Sequence, residues 1–123
     1  MNNFNGKRVL IVEDEALIAI MLEDMLEELG ATVAGSAGTI SKGLAMADSA
    51  ELDVAILDVN VRGESISPVA DILRGRGVPT IFATGYGSGI SDIAKGAPVI
   101  DKPYSPEKLH AALAAALDGG RGN

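Results

Sequence analysis

Short runs of apolar and β-branched residues recur along the chain, and several of them end at a polar or charged side chain. A continuous apolar run of this length is typical of a parallel strand that is buried on both faces. The most continuous run ends at Asp58, which is therefore predicted to emerge at the strand's carboxyl end, where open α/β sheets bind ligands. The predicted strands are residues 8–12, 32–34, 54–58, 79–83 and 98–101.

Between these runs, apolar residues recur at the spacing of one helix face. Ser67 and Pro68 predict a helix N-cap followed by a first helical residue, and Ser105 and Pro106 repeat that pattern. Residues 61–66 have no clear periodicity and are predicted to form a loop. The predicted helices are residues 16–29, 40–46, 68–74, 91–95 and 106–117.

Five strands that alternate with five helices predict a doubly wound α/β fold with a five-stranded parallel sheet and right-handed crossovers. A chain of 123 residues has the length of one domain with a single sizeable core. We therefore expect one domain over residues 1–123, with its core at about residues 7–117 and a flexible, glycine-rich tail at 118–123.

Composition narrows the classes of function. The chain has no cysteine, which excludes disulfides, thiolate zinc sites and cysteine nucleophiles. Its net charge of −7 argues against a nucleic-acid partner, because phosphate backbones select basic surfaces. No apolar run approaches the roughly 18 residues of a membrane-spanning helix, and the N-terminus has no signal-peptide pattern. A cytoplasmic protein without a membrane partner is expected.

The predicted topology places all strand carboxyl ends on one edge of the sheet. Three carboxylates that converge there would repel one another, and a divalent cation would relieve that repulsion. Because every candidate ligand is a hard oxygen, the expected ion is Mg²⁺, with Mn²⁺ as a possible substitute. The polar residues predicted at this edge are Glu13, Asp14, Asp58, Thr84 and Lys102.

These residue types suit phosphoryl transfer. Mg²⁺ retains coordination sites for a phosphate oxygen, and the Lys102 ammonium and Thr84 hydroxyl can contact further phosphoryl oxygens. Transfer of this group depends mainly on positioning and charge neutralisation. Aspartate is a known nucleophile for such transfers, so Asp58 is predicted to accept a phosphoryl group.

The five positions, followed by Pro103, resemble the receiver domain of bacterial two-component response regulators. The resemblance covers residues 8–117 and implies a flavodoxin-like receiver fold with strand order 2-1-3-4-5. It also implies a stand-alone, single-domain regulator that takes its phosphoryl group from a histidine kinase. Such a protein acts by switching protein contacts or as a phosphate sink, and its downstream partner is not identified by the sequence.

The resemblance assigns a role to each site residue. Asp58 becomes the phosphoacceptor and a metal ligand, together with Asp14 and with Glu13, which binds the ion directly or through water. The backbone carbonyl of Asn60 is implied as the third protein ligand. The resemblance further implies that Lys102 contacts the phosphoryl group, that Thr84 is the switch hydroxyl and that the peptide bond before Pro103 is cis.

The chain departs from the common receiver pattern on the side that reports phosphorylation. The family usually has an aromatic residue three positions before the lysine, and this chain has Val99 there. Residues 78–86 instead resemble the FATGUY subgroup of receivers, named for its Phe-Ala-Thr-Gly run. Two interpretations of Tyr86 stay open: it packs over the short fourth helix, or it reports phosphorylation as the loop from Gly85 reorders.

Two other functions compete with the phosphorylation switch. A receiver-like scaffold would bind partners without phosphorylation, and the residue at Val99 is compatible with that function. A Mg²⁺-dependent aspartyl phosphatase would use Asp58 as its nucleophile. Such phosphatases typically carry a general acid two residues further on, where this chain has Asn60, so we expect a protein that is not an enzyme.

Overall fold

The structure is a computed structural model that describes residues 4–85, 91–102 and 104–121. Strands and helices alternate along most of the described chain. The strands are β1 Arg8–Val12, β2 Thr32–Ala37, β3 Val54–Asp58, β4 Asn60–Val61, β5 Glu64–Ser65, β6 Thr80–Thr84 and β7 Val99–Asp101. The helices are α1 Ala16–Glu28, α2 Ile40–Ser49, α3 Ser67–Gly75, α4 Ser91–Ala94 and α5 Pro106–Arg121.

Five of the strands form one parallel sheet in the order β2-β1-β3-β6-β7. These are the five strands predicted from the sequence, and their order is the expected 2-1-3-4-5. The doubly wound α/β fold is therefore confirmed. The strand that ends at Asp58 lies at the centre of the sheet, between β1 and β6.

Helices cover both faces of the sheet, which divides the core into two layers. Along β1, Val9 and Ile11 face the layer that contains α1 and α5, whereas Leu10 and Val12 face the layer that contains α2 and α3. All four side chains are fully buried. Because both faces of each central strand are covered, the strand sequences are continuous apolar runs rather than alternating patterns.

Gly43 shows how closely the second layer is packed. It lies inside α2, where glycine is unfavourable relative to alanine by about 1 kcal/mol. A Cβ atom added at Gly43 would lie 3.3 Å from methyl groups of both Val12 and Val69. The missing side chain therefore allows α2 to approach β1 and α3 closely.

The prediction of a loop at residues 61–66 is wrong for Val61, Glu64 and Ser65, which lie in strands. Strands β4 and β5 pair antiparallel as a short hairpin, with Val61 opposite Glu64. The turn consists of Arg62 and Gly63, which both have positive φ angles, of 53° and 82°. Two-residue strands are too short to produce a periodic pattern, so the sequence does not reveal this hairpin.

The helix starts differ in how well the sequence predicts them. Ser67 is the first residue of α3 rather than its N-cap, and its N–H donates to the Ser65 Oγ at 3.1 Å. This hydrogen bond from the Ser67 N–H to the Ser65 hydroxyl is therefore present instead of the expected cap by the Ser67 side chain. The prediction for Ser105 is confirmed, because its Oγ accepts a hydrogen bond from the Lys108 N–H at 3.2 Å.

Three elements end several residues later than predicted. Strand β2 continues to Ala37, α2 continues to Ser49, and α5 continues to Arg121 beyond the predicted end at Leu117. Helix elongation adds one hydrogen bond for each residue fixed, so α5 extends into residues that the sequence assigns to a flexible tail. Among the described residues, no helix is long and apolar enough to cross a membrane.

Candidate functional site

The polar residues predicted to meet at the carboxyl edge of the sheet are brought together there. Asp58 at the end of β3 pairs with Ala83 of β6, and Thr84 at the end of β6 pairs with Asp101 of β7. Because the strands are parallel and paired in this register, the residues that follow them lie close together along the same edge of the sheet. The edge consequently presents Glu13, Asp14, Asp58, Thr84 and Lys102.

Lys102 joins two buried carboxylates. Its Nζ donates to Asp58 Oδ2 at 2.8 Å and forms an ion pair with Glu13 Oε1 at 2.7 Å. The side chains of Glu13 and Asp58 are only 1% and 9% exposed, so their charges are largely removed from water. A single ammonium therefore balances two carboxylates and leaves a net negative charge at the site.

A third carboxylate completes the cluster. One oxygen from each of Glu13, Asp14 and Asp58 can be chosen such that all three lie within 4.8 Å of one another. Glu13 Oε1 is buried and, among the described residues, its 2.7 Å contact with Lys102 does not have hydrogen-bond geometry. An all-oxygen cluster with an under-satisfied buried oxygen fits a hard divalent cation such as Mg²⁺.

The environment raises the pKa of two of these groups. Burial is the largest cause for Glu13, where the charge of Asp58 adds to the rise while the Lys102 contact and the Glu15 N–H oppose it. For Lys102, burial alone would lower the pKa, but the interactions with Asp58 and Glu13 outweigh it, so that the pKa is raised. Lys102 therefore stays protonated and presents a positive charge at the edge of the sheet.

The cluster opens into a cleft of about 620 Å³. This is within the range of about 300–1,000 Å³ of small-ligand pockets. Carboxylates, a hydroxyl and an ammonium therefore share one accessible cavity. Its described lining consists of Asp14, Glu15, Asp58, Val59, Asn60, Thr84, Gly85 and Lys102.

The segment after Asp58 donates backbone hydrogen bonds to two carboxylates of the acidic cluster. The Asn60 N–H makes a long hydrogen bond to Asp58 Oδ1 at 3.4 Å, and the Arg62 N–H donates to Asp14 Oδ2 at 2.7 Å. The sequence analysis selects Asn60 but misses Arg62. No sequence signal could identify Arg62, because its contribution is a backbone hydrogen bond to a residue 48 positions away.

Comparison with known families agrees with this geometry. Residues 9–114 match the family model described as the response regulator receiver domain. The chain belongs to this family. Receiver domains are components of two-component signalling, so the recognition made from the sequence is confirmed.

Individual relatives support the same assignment. The receiver is 43% identical to SdrG from Sphingomonas melonis Fr1, whose solution structure superposes with a TM-score of 0.78 and covers 91% of this chain and 97% of that chain. A BeF3-activated conformation of SdrG has the same identity and a TM-score of 0.77. The phyllosphere-induced regulator PhyR of Methylorubrum extorquens is 34% identical over 114 residues, which are 89% of this chain and 43% of PhyR. The receiver thus spans less than half the length of that relative.

The predicted reporting side of the receiver is only partly described. Thr84 is buried at the edge of the cleft, whereas Gly85 and Val99 are exposed. The predictions for Tyr86 and Pro103 lie outside the described residues. The aliphatic side chain of Val99 is 41% exposed on an edge strand, so this position holds no buried aromatic ring.

Tyr104 is an aromatic residue near the site that the sequence analysis does not select. It is 8% exposed and belongs to the core layer of α1 and α5. Its pKa is raised above 10, first by burial and then by the charges of Glu13 and Asp58. The scarcity of aromatics was the available signal, because Tyr104 is one of two tyrosines and follows Lys102 by two positions.

Proposed function

We propose that Asp58 accepts a phosphoryl group from a histidine kinase, with the help of Mg²⁺, and that this modification switches the protein's contacts with other proteins. One observation carries the proposal: the Asp58 carboxylate lies in an open cleft, 2.8 Å from the Lys102 ammonium and beside two further carboxylates. This arrangement neutralises an incoming phosphoryl group while it presents an oxygen nucleophile.

The transfer consists of one substitution at phosphorus. A carboxylate oxygen of Asp58 attacks the phosphorus atom of a phosphohistidine, the new P–O bond forms and the P–N bond breaks. The imidazole leaves with the electron pair of the broken bond and takes up a proton. Lys102 and Thr84 contact phosphoryl oxygens, so that negative charge is balanced as the group moves.

The metal site is assigned to the acidic cluster. Glu13, Asp14 and Asp58 would hold Mg²⁺ together with the backbone carbonyl of Asn60. A bound Mg²⁺ would supply positive charge that the phosphoryl oxygens and the three carboxylates share. Lys102 alone faces two buried carboxylates, which leaves a charge deficit that a divalent cation would fill.

The phosphodonor is proposed to approach over α1. Three large apolar side chains are exposed on this helix, directly after the acidic cluster: Leu17 is 70%, Ile20 52% and Met21 42% exposed. Exposed apolar patches of this kind commonly mark protein–protein contacts. A histidine kinase that presents its phosphohistidine on a helical bundle would bury this surface next to Asp58.

Phosphorylation is proposed to redistribute the contacts of Lys102. In the unmodified protein its Nζ contacts both Asp58 and Glu13. A phosphoryl group on Asp58 would attract Lys102 and the Thr84 hydroxyl, and movement of Thr84 would displace Gly85, which follows it. Output would follow through altered protein contacts or through withdrawal of phosphoryl groups from the kinase.

The test is incubation with acetyl phosphate and Mg²⁺, followed by intact-mass measurement of the wild type and of Asp58→Asn. A slowly decaying phosphate adduct in the wild type alone is expected. Repeated turnover of phosphomonoesters would instead indicate a phosphatase. Absence of an adduct with acetyl phosphate and with a phosphorylated histidine kinase would indicate a scaffold that works without phosphorylation.

A further inference from the structure

The hairpin of β4 and β5 contacts the acidic cluster through its backbone. The Arg62 N–H donates to Asp14 Oδ2 at 2.7 Å, which is the length of a strong, charge-assisted hydrogen bond. No hydrogen bond from the described residues reaches the other oxygen of Asp14. A backbone donor on one oxygen thus fixes the orientation of the carboxylate and leaves the second oxygen for a cation.

The position of this N–H depends on an unusual turn. Arg62 and Gly63 form the two-residue loop of the hairpin, and their positive φ angles of 53° and 82° are those of a type I′ turn. Arginine rarely adopts the left-handed region, so the surrounding contacts must hold it there. One such contact is the Gly63 N–H, which donates to Asn60 Oδ1 at 3.0 Å.

The base of the hairpin is anchored in the core. Val61 and Ile66 are both fully buried, and the Ile66 N–H donates to the Val59 carbonyl at 3.2 Å. The tip is exposed from Arg62 to Ser65. A rigid base with an exposed turn gives the Arg62 N–H a defined direction that a free loop would not supply.

We infer that the Arg62–Gly63 turn is a positioning device for the Mg²⁺ site, which orients the Asp14 carboxylate and the Asn60 backbone for the ion. This inference rests on the proposed function. By linkage, the same coupling makes bound Mg²⁺ stabilise the turn. Metal occupancy is then transmitted to the exposed tip of the hairpin, from Arg62 to Ser65.

The test compares two glycines that have similar positive φ angles. Gly63 has a φ of 82° and Gly77 a φ of 76°, and an added Cβ would meet no atom within 4 Å at either position. Alanine therefore introduces similar backbone strain at both, but only Gly63 lies in the turn that contacts Asp14. Gly77→Ala is the matched control for Gly63→Ala.

Mg²⁺ affinity is measured by NMR titration of the ¹⁵N-labelled proteins with MgCl₂. Gly63→Ala is expected to weaken Mg²⁺ binding by about five- to thirtyfold, the factor that corresponds to the cost of a left-handed alanine, while Gly77→Ala binds like the wild type. Gly63→Asn should fall between them, because asparagine tolerates this conformation better, and it replaces Gly63→Ala if that variant does not fold. Hydrogen exchange of the Arg62 amide should slow when Mg²⁺ saturates the wild type.

Two results would overturn the inference: one concerns the turn alone, and the other also concerns the proposed metal site. Equal Mg²⁺ affinities for the Gly63 and Gly77 variants would remove the role of the turn and leave the proposed metal site intact. Failure of the wild type to bind Mg²⁺, judged against Asp14→Asn, would overturn the metal site of the proposed function and this inference with it.

Discussion

At the scale of single residues, the site is organised by Lys102. Strand β7 is separated from β3 by β6, so the Lys102 backbone lies two strand spacings from Asp58, or about 9–10 Å. Only a long side chain can cross this distance, and the Lys102 Nζ reaches Asp58 Oδ2 at 2.8 Å. The ammonium lies where it balances the unmodified carboxylate and where it would contact a phosphoryl oxygen.

Replacing Lys102 by methionine should destabilise the metal-free protein. Two buried carboxylates would lose their cation, and removal of one partner of a buried ion pair typically costs about 3 kcal/mol. The free energy of unfolding, measured by urea denaturation at neutral pH, should fall by about that amount for Lys102→Met. The exposed Lys42→Met should change it by less than about 0.5 kcal/mol. Equal stabilities for the two variants would contradict the described ion pairs.

Tyr104 should report the charge of the acidic cluster. In a Tyr86→Phe background Tyr104 is the single tyrosine. Its ionisation can then be followed by the absorbance of tyrosinate at about 295 nm. The pKa of Tyr104 should lie above the ordinary value of 10, and Asp58→Asn should lower it by removing a negative charge. Titration at the ordinary pKa would show that Tyr104 is not buried beside the cluster.

The raised pKa of Tyr104 also determines a pH dependence of stability. Above pH 10 the unfolded phenol loses its proton before the folded one does. The folded state then binds more protons, so the free energy of unfolding must decrease as pH rises through this range. Tyr104→Phe should reduce that decrease in urea denaturation at alkaline pH.

At the scale of secondary-structure elements, α1 combines two functions. Its inner face, which includes Leu22 and Leu26, is fully buried against the sheet. Its first turns expose Leu17, Ile20 and Met21, whereas the last turns expose acidic residues. One helix therefore completes the core and presents an apolar surface next to Asp58.

Serine at Leu17 and Ile20 together should slow phosphotransfer from the cognate histidine kinase by about tenfold, since a combined loss of about 1.4 kcal/mol of apolar contact corresponds to that factor. Phosphorylation by acetyl phosphate should be unchanged, because the acceptor chemistry is intact. Val99→Ser removes an exposed apolar side chain at the other end of the sheet and is the control. Equal loss with both donors, or in the control, would contradict docking on α1.

At the scale of the whole molecule, strand order determines the chemistry of the edge. Because β3 lies between β1 and β6, Asp58 has the carboxylates of Glu13 and Asp14 on one side, and Thr84 and then Lys102 on the other. The oxygens proposed to bind the metal and the groups proposed to contact the phosphoryl group therefore lie on opposite sides of Asp58. Among the described residues that line the cleft, Lys102 is the one cation, in a protein whose net charge is −7.

The sequence predicts the central sheet well because both faces of β1, β3 and β6 are buried, which produces continuous apolar runs. It also predicts which polar residues meet, since the topology brings strand ends together. The Arg62 turn is not predictable in this way, because its N–H bonds to a residue 48 positions away. The burial of Tyr104 likewise depends on packing between distant elements rather than on local pattern.

The most direct test of the account is to locate the phosphoryl group chemically. After reaction with acetyl phosphate and Mg²⁺, borohydride reduction converts an aspartyl phosphate to homoserine, which peptide mass spectrometry assigns to one position. The account predicts homoserine at position 58 alone, and its loss when EDTA removes the metal. Homoserine at position 14, or modification that is independent of Mg²⁺, would contradict the assignment of Asp58 as the metal-assisted phosphoacceptor.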